Sequence, residues 1–156
     1  MNVSAILSLE FLAFDNSLTG NTDEKIIIEL QQIDIFDDMA VYNFAASFLR
    51  QKKYAICIDG VTHLTFPFID RERLGADFIK IIWSADMAGD RQDNLVQRMK
   101  DFVDENGANS VILCRCDTRE SIEWGQAAGI RLFQGRIVET LLESMANANR
   151  QTSAAS

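Results

Sequence analysis

Short runs of β-branched and other apolar residues alternate with segments of helical period along nearly the whole chain, and this alternation restricts the fold more than any other feature. The runs are Lys25–Leu30 (KIIIEL), Tyr54–Asp59 (YAICID), Asp77–Trp83 (DFIKIIW), Ser110–Cys116 (SVILCRC) and Arg131–Gly135 (RLFQG). Most are continuously apolar, as parallel strands covered on both faces are. Between them, Val41, Phe44, Phe48 and Leu49 form one helical stripe. Leu95, Val96, Met99, Phe102 and Val103 form a second, with i, i+3/i+4, i+7 spacing. A final helix near Ile137–Ala148 carries Val138, Leu141, Leu142 and Met145. Strand, helix, strand in repetition with right-handed crossovers implies an α/β fold, either an open sheet or part of a barrel.

Helix punctuation agrees with this division. Asp117-x-x-Glu120 has the form of a capping box for a helix that Gly129 closes, and Gly107 sits where the preceding helix stops. Asp34, Asp37 and Asp38, beside Gln31 and Gln32, read as capping and first-turn charge for a helix over Asp38–Gln51. Residues 1–146 are expected to form the domain, and 147–156, small and polar, a frayed tail.

Composition removes several functional classes. The 156 residues fit one domain, since about 100–200 residues make one. A net charge of −8, without a compensating basic run, repels phosphate backbones and anionic lipid, so neither nucleic acid nor membrane is an expected partner. No apolar stretch approaches the roughly 18 residues of a membrane span. The amino terminus has no basic leader, and a soluble, cytoplasmic protein is the expectation. Cys57, Cys114 and Cys116 are too few for a disulfide framework and suit a reducing compartment.

Function is sought at the carboxyl ends of the strands, where the loops of a parallel α/β fold converge. Polar residues recur there: Glu29, Asp59, Lys80, Cys114 with Cys116 and Asp117, and Gln134. A lysine inside DFIKIIW is costly to bury alone, so Lys80 requires a carboxylate partner or an anion.

At these residues the chain resembles a known family. YAICIDG followed by ERLGADFIKI is similar to the stretch of EAL domains, the cyclic di-GMP phosphodiesterases, in which D-D-F-G-T-G precedes L-P-V-D-Y-L-K-I-D. The resemblance places Asp59 on the first aspartate of that loop, Leu74 and Asp77 on L-x-x-D, and Lys80 on the lysine. IIIELQQ resembles L-V-L-E-I-T-E, matching Glu29 to its first glutamate, and SVILCRCDTRESIEWGQAAGIRLFQG resembles the segment that contains A-E-G-V-E-T and ends in Q-G. There Thr118, Glu120, Gly129, Gln134 and Gly135 fall in register. Met1-Asn2-Val3-Ser4 resembles the N-x-S strand motif, which implies a metal-binding role for Asn2. The implied fold is an EAL-like (β/α) barrel, incomplete, of about six parallel strands alternating with helices. It begins about two strands late, leaving an amino-terminal edge that a partner or second copy would cover.

The departures from the pattern set the functional expectation. Gly60 stands at the second aspartate of D-D-F-G, Gln32 at the second glutamate of E-x-T-E, Cys114 at the first glutamate of A-E-G-V-E and Asp117 at its second; the E-A-L signature is missing. Hydrolysis by the family implies Mg²⁺ or Mn²⁺ held by hard oxygens, and losing carboxylates while placing a soft thiol at Cys114 removes both charge and ligand type. The expectation is therefore a catalytically inactive EAL-like signalling domain that acts through a protein partner or as a homodimer. It has no catalytic residue, metal or other cofactor, Mg²⁺ or Mn²⁺ entering only if the site were still functional. Asn2, Glu29, Asp59, Lys80, Asp117 and Gln134 line a vestigial pocket. The alternatives are a cyclic di-GMP receptor without hydrolysis and a residual metal-dependent phosphodiesterase. A zinc set of Cys57, Cys114, Cys116 and the single His63 is disfavoured, because Cys-x-Cys on a strand lacks the two-to-four-residue knuckle spacing of structural zinc sites. Phe66, Pro67 and Phe68 are interface candidates, since in EAL proteins this region contributes to dimer contacts.

Overall fold

A computed structural model describes residues 2–18, 25–89 and 94–154. It is α/β, with one parallel sheet in the order β1-β2-β3-β4-β5: Ile27–Gln31, Ala55–Val61, Phe78–Ile82, Val111–Cys114 and Leu132–Phe133. The helices are α1 (Leu9–Leu18), α2 (Gln32–Asp37), α3 (Met39–Gln51), α4 (Arg71–Leu74), α5 (Leu95–Asn106), α6 (Arg119–Ala127) and α7 (Arg136–Ala154). Packing divides the chain into two compact units, residues 1–80 and 81–156.

In the first unit, β1 and β2 pair in parallel, with Glu29 opposite Cys57 and Gln31 opposite Asp59. The centre of β2 is buried on both faces, as an apolar run predicts. β1 instead alternates, with Ile28 and Leu30 buried but Ile27 and Glu29 exposed, so only one of its faces is covered. Asp38 caps α3 by accepting from the Ala40 and Val41 amides at 3.0 Å each, in agreement with the sequence. The buried face of α3 is not the expected stripe of Val41, Phe44, Phe48 and Leu49. It is Tyr42, Ala45, Ala46 and Leu49, while Phe44 is 68% exposed. The alanines bring the helix backbone close, and the Tyr42 hydroxyl donates to the Leu74 carbonyl at 2.8 Å. Val3–Leu7 is a 3₁₀ helix, where the resemblance implied a strand at the start of the chain. The described residues accordingly hold five strands, not about six.

The second unit follows the sequence more closely. Leu95, Met99, Phe102 and Val103 form the buried face of α5, which ends at Gly107. The cap of α6 is Thr118, which accepts from the Ser121 amide at 3.3 Å, and not Asp117, which is engaged elsewhere. Gly129 follows the end of α6 with φ of +80°. Helix α7 runs to Ala154, beyond the expected frayed end, because nothing in Asn147–Ala154 breaks a helix.

One buried carboxylate was not anticipated. Asp15 of α1 is 3% exposed; it accepts from the Tyr54 hydroxyl at 2.7 Å and pairs with Lys52 at 2.6 Å. Those two hydrogen bonds hold its carboxyl below the usual range, and burial together with Asp15 pushes the Tyr54 hydroxyl up to about 12. Because the folded value is depressed, Asp15 contributes stability that is present above the unfolded carboxylate range and is lost as pH falls through the folded value. Asp15→Asn should cost about 1–3 kcal/mol at neutral pH and flatten the acid limb of the stability profile, measured by urea unfolding from pH 7 to pH 3. An unchanged acid limb in the variant would remove Asp15 from that account.

Candidate functional site

The period of β1 and β2 places Glu29, Gln31, Cys57 and Asp59 on one face of the sheet. Lys80 reaches this group from β3. Its side chain is 8% exposed and its ammonium pairs with the carboxylate of Glu29, whose side chain is 45% exposed. Burial pulls the Lys80 value down, but the hydrogen bond and charge of Glu29, helped by Cys57 and Asp59, hold it above that of an ordinary lysine. The carboxylate partner that the sequence demanded for Lys80 is thus Glu29.

Asp59 is equally committed. Its Oδ2 accepts from Gln31 Nε2 at 2.7 Å and its Oδ1 from the Gly60 amide at 2.8 Å. Gln32 accepts from the Thr65 hydroxyl at 2.9 Å, fixing the loop after β2. Gly60 has φ of +78°, and a Cβ there would lie 2.7 Å from Gln31 Oε1. Position 60 therefore tolerates a side chain poorly on both backbone and packing grounds. Asp77 accepts from the Ile56 amide at 2.9 Å and pairs with Lys25 at 3.1 Å, so it braces the amino ends of the strands.

The other residues read from the sequence are held differently. Asn2 is exposed, and its side-chain oxygen accepts from Ser4 at 2.9 Å from the amide and 2.6 Å from the hydroxyl; it caps a 3₁₀ helix and does not stand at a strand end. In the second unit, Asp117 accepts from the Arg136 amide at 3.0 Å and from its guanidinium at 3.2 Å, which holds the carboxyl below the usual range. Gln134 joins the same turn through its backbone, accepting from the Cys116 amide at 3.0 Å. Cys57, Cys114 and Cys116 are buried and in no disulfide. Burial pushes the Cys116 thiol up, which makes it a poor nucleophile and a poor ligand. Of the aromatic trio, Phe66 is buried, while Pro67 and Phe68 face outward, Phe68 being 80% exposed.

A hydrated divalent cation requires several carboxylate or carbonyl oxygens that are not already engaged. Glu29 pairs with Lys80, and each oxygen of Asp59 already accepts one hydrogen bond. Among the described residues no group of three or more His, Cys, Asp or Glu is arranged to hold a metal. Beside Asp59, at the carboxyl ends of β1 and β2, lies an open cleft of about 510 Å³ bounded by Gln31, Gln32, Ile33, Phe36, Gly60 and Thr65. Gln31, Thr65 and helix α2 are the parts of this site that sequence reasoning missed. The only sequence signal was QQ at a strand end.

Among solved structures, the chain is similar to the Bacillus subtilis YkuI protein, a protein with an EAL domain whose crystal structure holds the substrate c-di-GMP and calcium. The TM-score is 0.60 at 16% identity over 81% of this chain. The fold is EAL-like. The chain spans 31% of the length of YkuI, and the likeness is one of fold. No family model matches the sequence, and no curated protein matches it. Among the described residues no helix is long and apolar enough to cross a membrane.

The Lys80–Glu29 pair predicts an asymmetry. Removing Glu29 strands a buried ammonium, whereas removing Lys80 leaves a carboxylate that reaches water. Glu29→Ala should cost about 3 kcal/mol and Lys80→Met about 1 kcal/mol or less, measured by chemical denaturation. Equal losses would contradict the pairing described.

Proposed function

We propose that the chain is an EAL-like domain that does not hydrolyse cyclic di-GMP and acts by docking on another protein or on a second copy. The observation that carries this reading is the hydrogen bonding of Asp59, whose two oxygens accept from Gln31 and Gly60. A carboxylate so engaged, beside a second that neutralises Lys80, is poorly placed to bind a cation that activates water. Docking is supported by large apolar side chains in water: Ile33 (78% exposed), Leu64 (70%) and Phe68 in the first unit, and Leu142 (61%) and Met145 (64%) on α7 in the second. Exposed apolar side chains of this size supply the contacts that a protein partner or a second copy would bury. With Mg²⁺ or Mn²⁺ present, the purified chain should give no linear dinucleotide from cyclic di-GMP. Turnover abolished by Asp59→Ala would overturn the reading.

A second reading, a receptor that binds cyclic di-GMP without hydrolysis, is favoured by one observation. The cleft beside Asp59 combines the apolar side chains Ile33 and Phe36 with the amides of Gln31 and Gln32, a surface suited to a base and its edge. Calorimetric titration separates the two. Saturable, metal-independent heat weakened by Phe36→Ala selects the receptor, and its absence leaves the docking module.

Restoring the family residue at position 60 provides an independent check. Gly60→Asp should destabilise the fold by about 1–2 kcal/mol, because a non-glycine residue is forced to positive φ. It should not confer a Mg²⁺-dependent rise in melting temperature, and such a rise would show that the site is still competent to bind metal.

A further inference from the structure

The amino ends of β1, β2 and β3 form a cleft unlike the rest of this acidic chain. An open depression of about 530 Å³ is lined by Lys25, Arg50, Lys53, Tyr54, Arg71 and Ala76, with Glu72, Gly75 and Asp77 completing it. Four cations meet two carboxylates there, although the chain carries −8 overall. Asp77 is already spoken for, paired with Lys25 and hydrogen-bonded to the Ile56 amide.

The two arginines are held in place from behind. Arg50 donates through Nε to the Ala46 carbonyl at 3.1 Å, and its Nη atoms lie over Gly75, where any Cβ would collide with them. Gly75, at φ of +65°, satisfies both the turn after α4 and this close approach. Arg71 donates through Nη1 to the Ala76 carbonyl at 2.9 Å, yet its Nε is buried with no acceptor. A guanidinium anchored through one nitrogen keeps further N–H donors for an anionic oxygen. Lys53 sits at the rim with φ of +63°, a conformation that lysine adopts at a cost, and it has no ion-pair partner among the described residues. Tyr54, buried and hydrogen-bonded to Asp15, lies at the floor of the cleft.

We propose that this cleft is a binding site for a small molecule carrying a phosphate group, at the opposite end of the strands from Asp59. Two guanidinium groups and the Lys53 ammonium, with Lys25 held by Asp77, match the charge and the several oxygens of a phosphate better than the single charge and two oxygens of a carboxylate. The cleft exceeds the size of a bare phosphate ion, so the phosphate would be one end of a larger ligand. The proposal is independent of whether the domain binds cyclic di-GMP.

The test is a titration of the whole chain with pyrophosphate, inorganic phosphate and citrate at constant ionic strength, followed by amide chemical shifts. Saturable shifts centred on Arg50, Lys53 and Arg71 are expected with both phosphates and at least about tenfold weaker with citrate. Lys53→Asn keeps a residue that accepts positive φ while removing the charge, and should weaken pyrophosphate about three- to tenfold without altering the fold. Arg50→Gln should weaken it by at least as much, and Lys100→Gln, on α5, should not. No saturation by about 10 mM, equal affinity for citrate, or unaltered binding by both Lys53→Asn and Arg50→Gln would each overturn the proposal.

Discussion

A buried lysine in the middle of an apolar strand is the constraint on which the site depends. Lys80 cannot be desolvated without a partner, and β1 must present Glu29 at the register that meets it. That register also sets Gln31 opposite Asp59, so the ion pair and the neighbouring hydrogen bond stand or fall together. The exposed outer face of β1 follows too, because the strand is oriented by what its polar side chains reach.

The consequence is a polar face that satisfies itself. Gln31 and Gly60 donate to Asp59, and Thr65 donates to Gln32 from the following loop. Gly60 makes this arrangement hard to reverse, since its backbone conformation and the packed Gln31 amide both exclude a side chain. In the second unit Asp117 is likewise held by Arg136.

Much of this was legible in the sequence, for identifiable reasons. Short apolar runs located the strands, continuously apolar ones at β2, β3 and β4, and the i, i+3/i+4 stripe located α5, because burial of a strand or of one helical stripe leaves a trace in the sequence. The need for a Lys80 partner followed from electrostatics alone. What was missed depended on tertiary contact. The buried face of α3 relies on two alanines, which carry little hydrophobic signal, so Phe44 was assigned inward and lies in water. Asp15 is surrounded by residues distant in sequence, and no local pattern marks it. The cap of α6 shifted from Asp117 to Thr118 because Arg136, remote in sequence, claims Asp117. The start of the chain was read as a strand from four residues, too few to distinguish it from the 3₁₀ turn found there.

The central claim is that Glu29 and Lys80 act as a coupled structural pair. A double-mutant cycle with Glu29→Gln and Lys80→Met, read by urea unfolding, measures this directly. The account predicts a coupling of about 1–3 kcal/mol. Losses that add to within about 0.3 kcal/mol would contradict it and would reopen the site to a ligand-binding role for both residues.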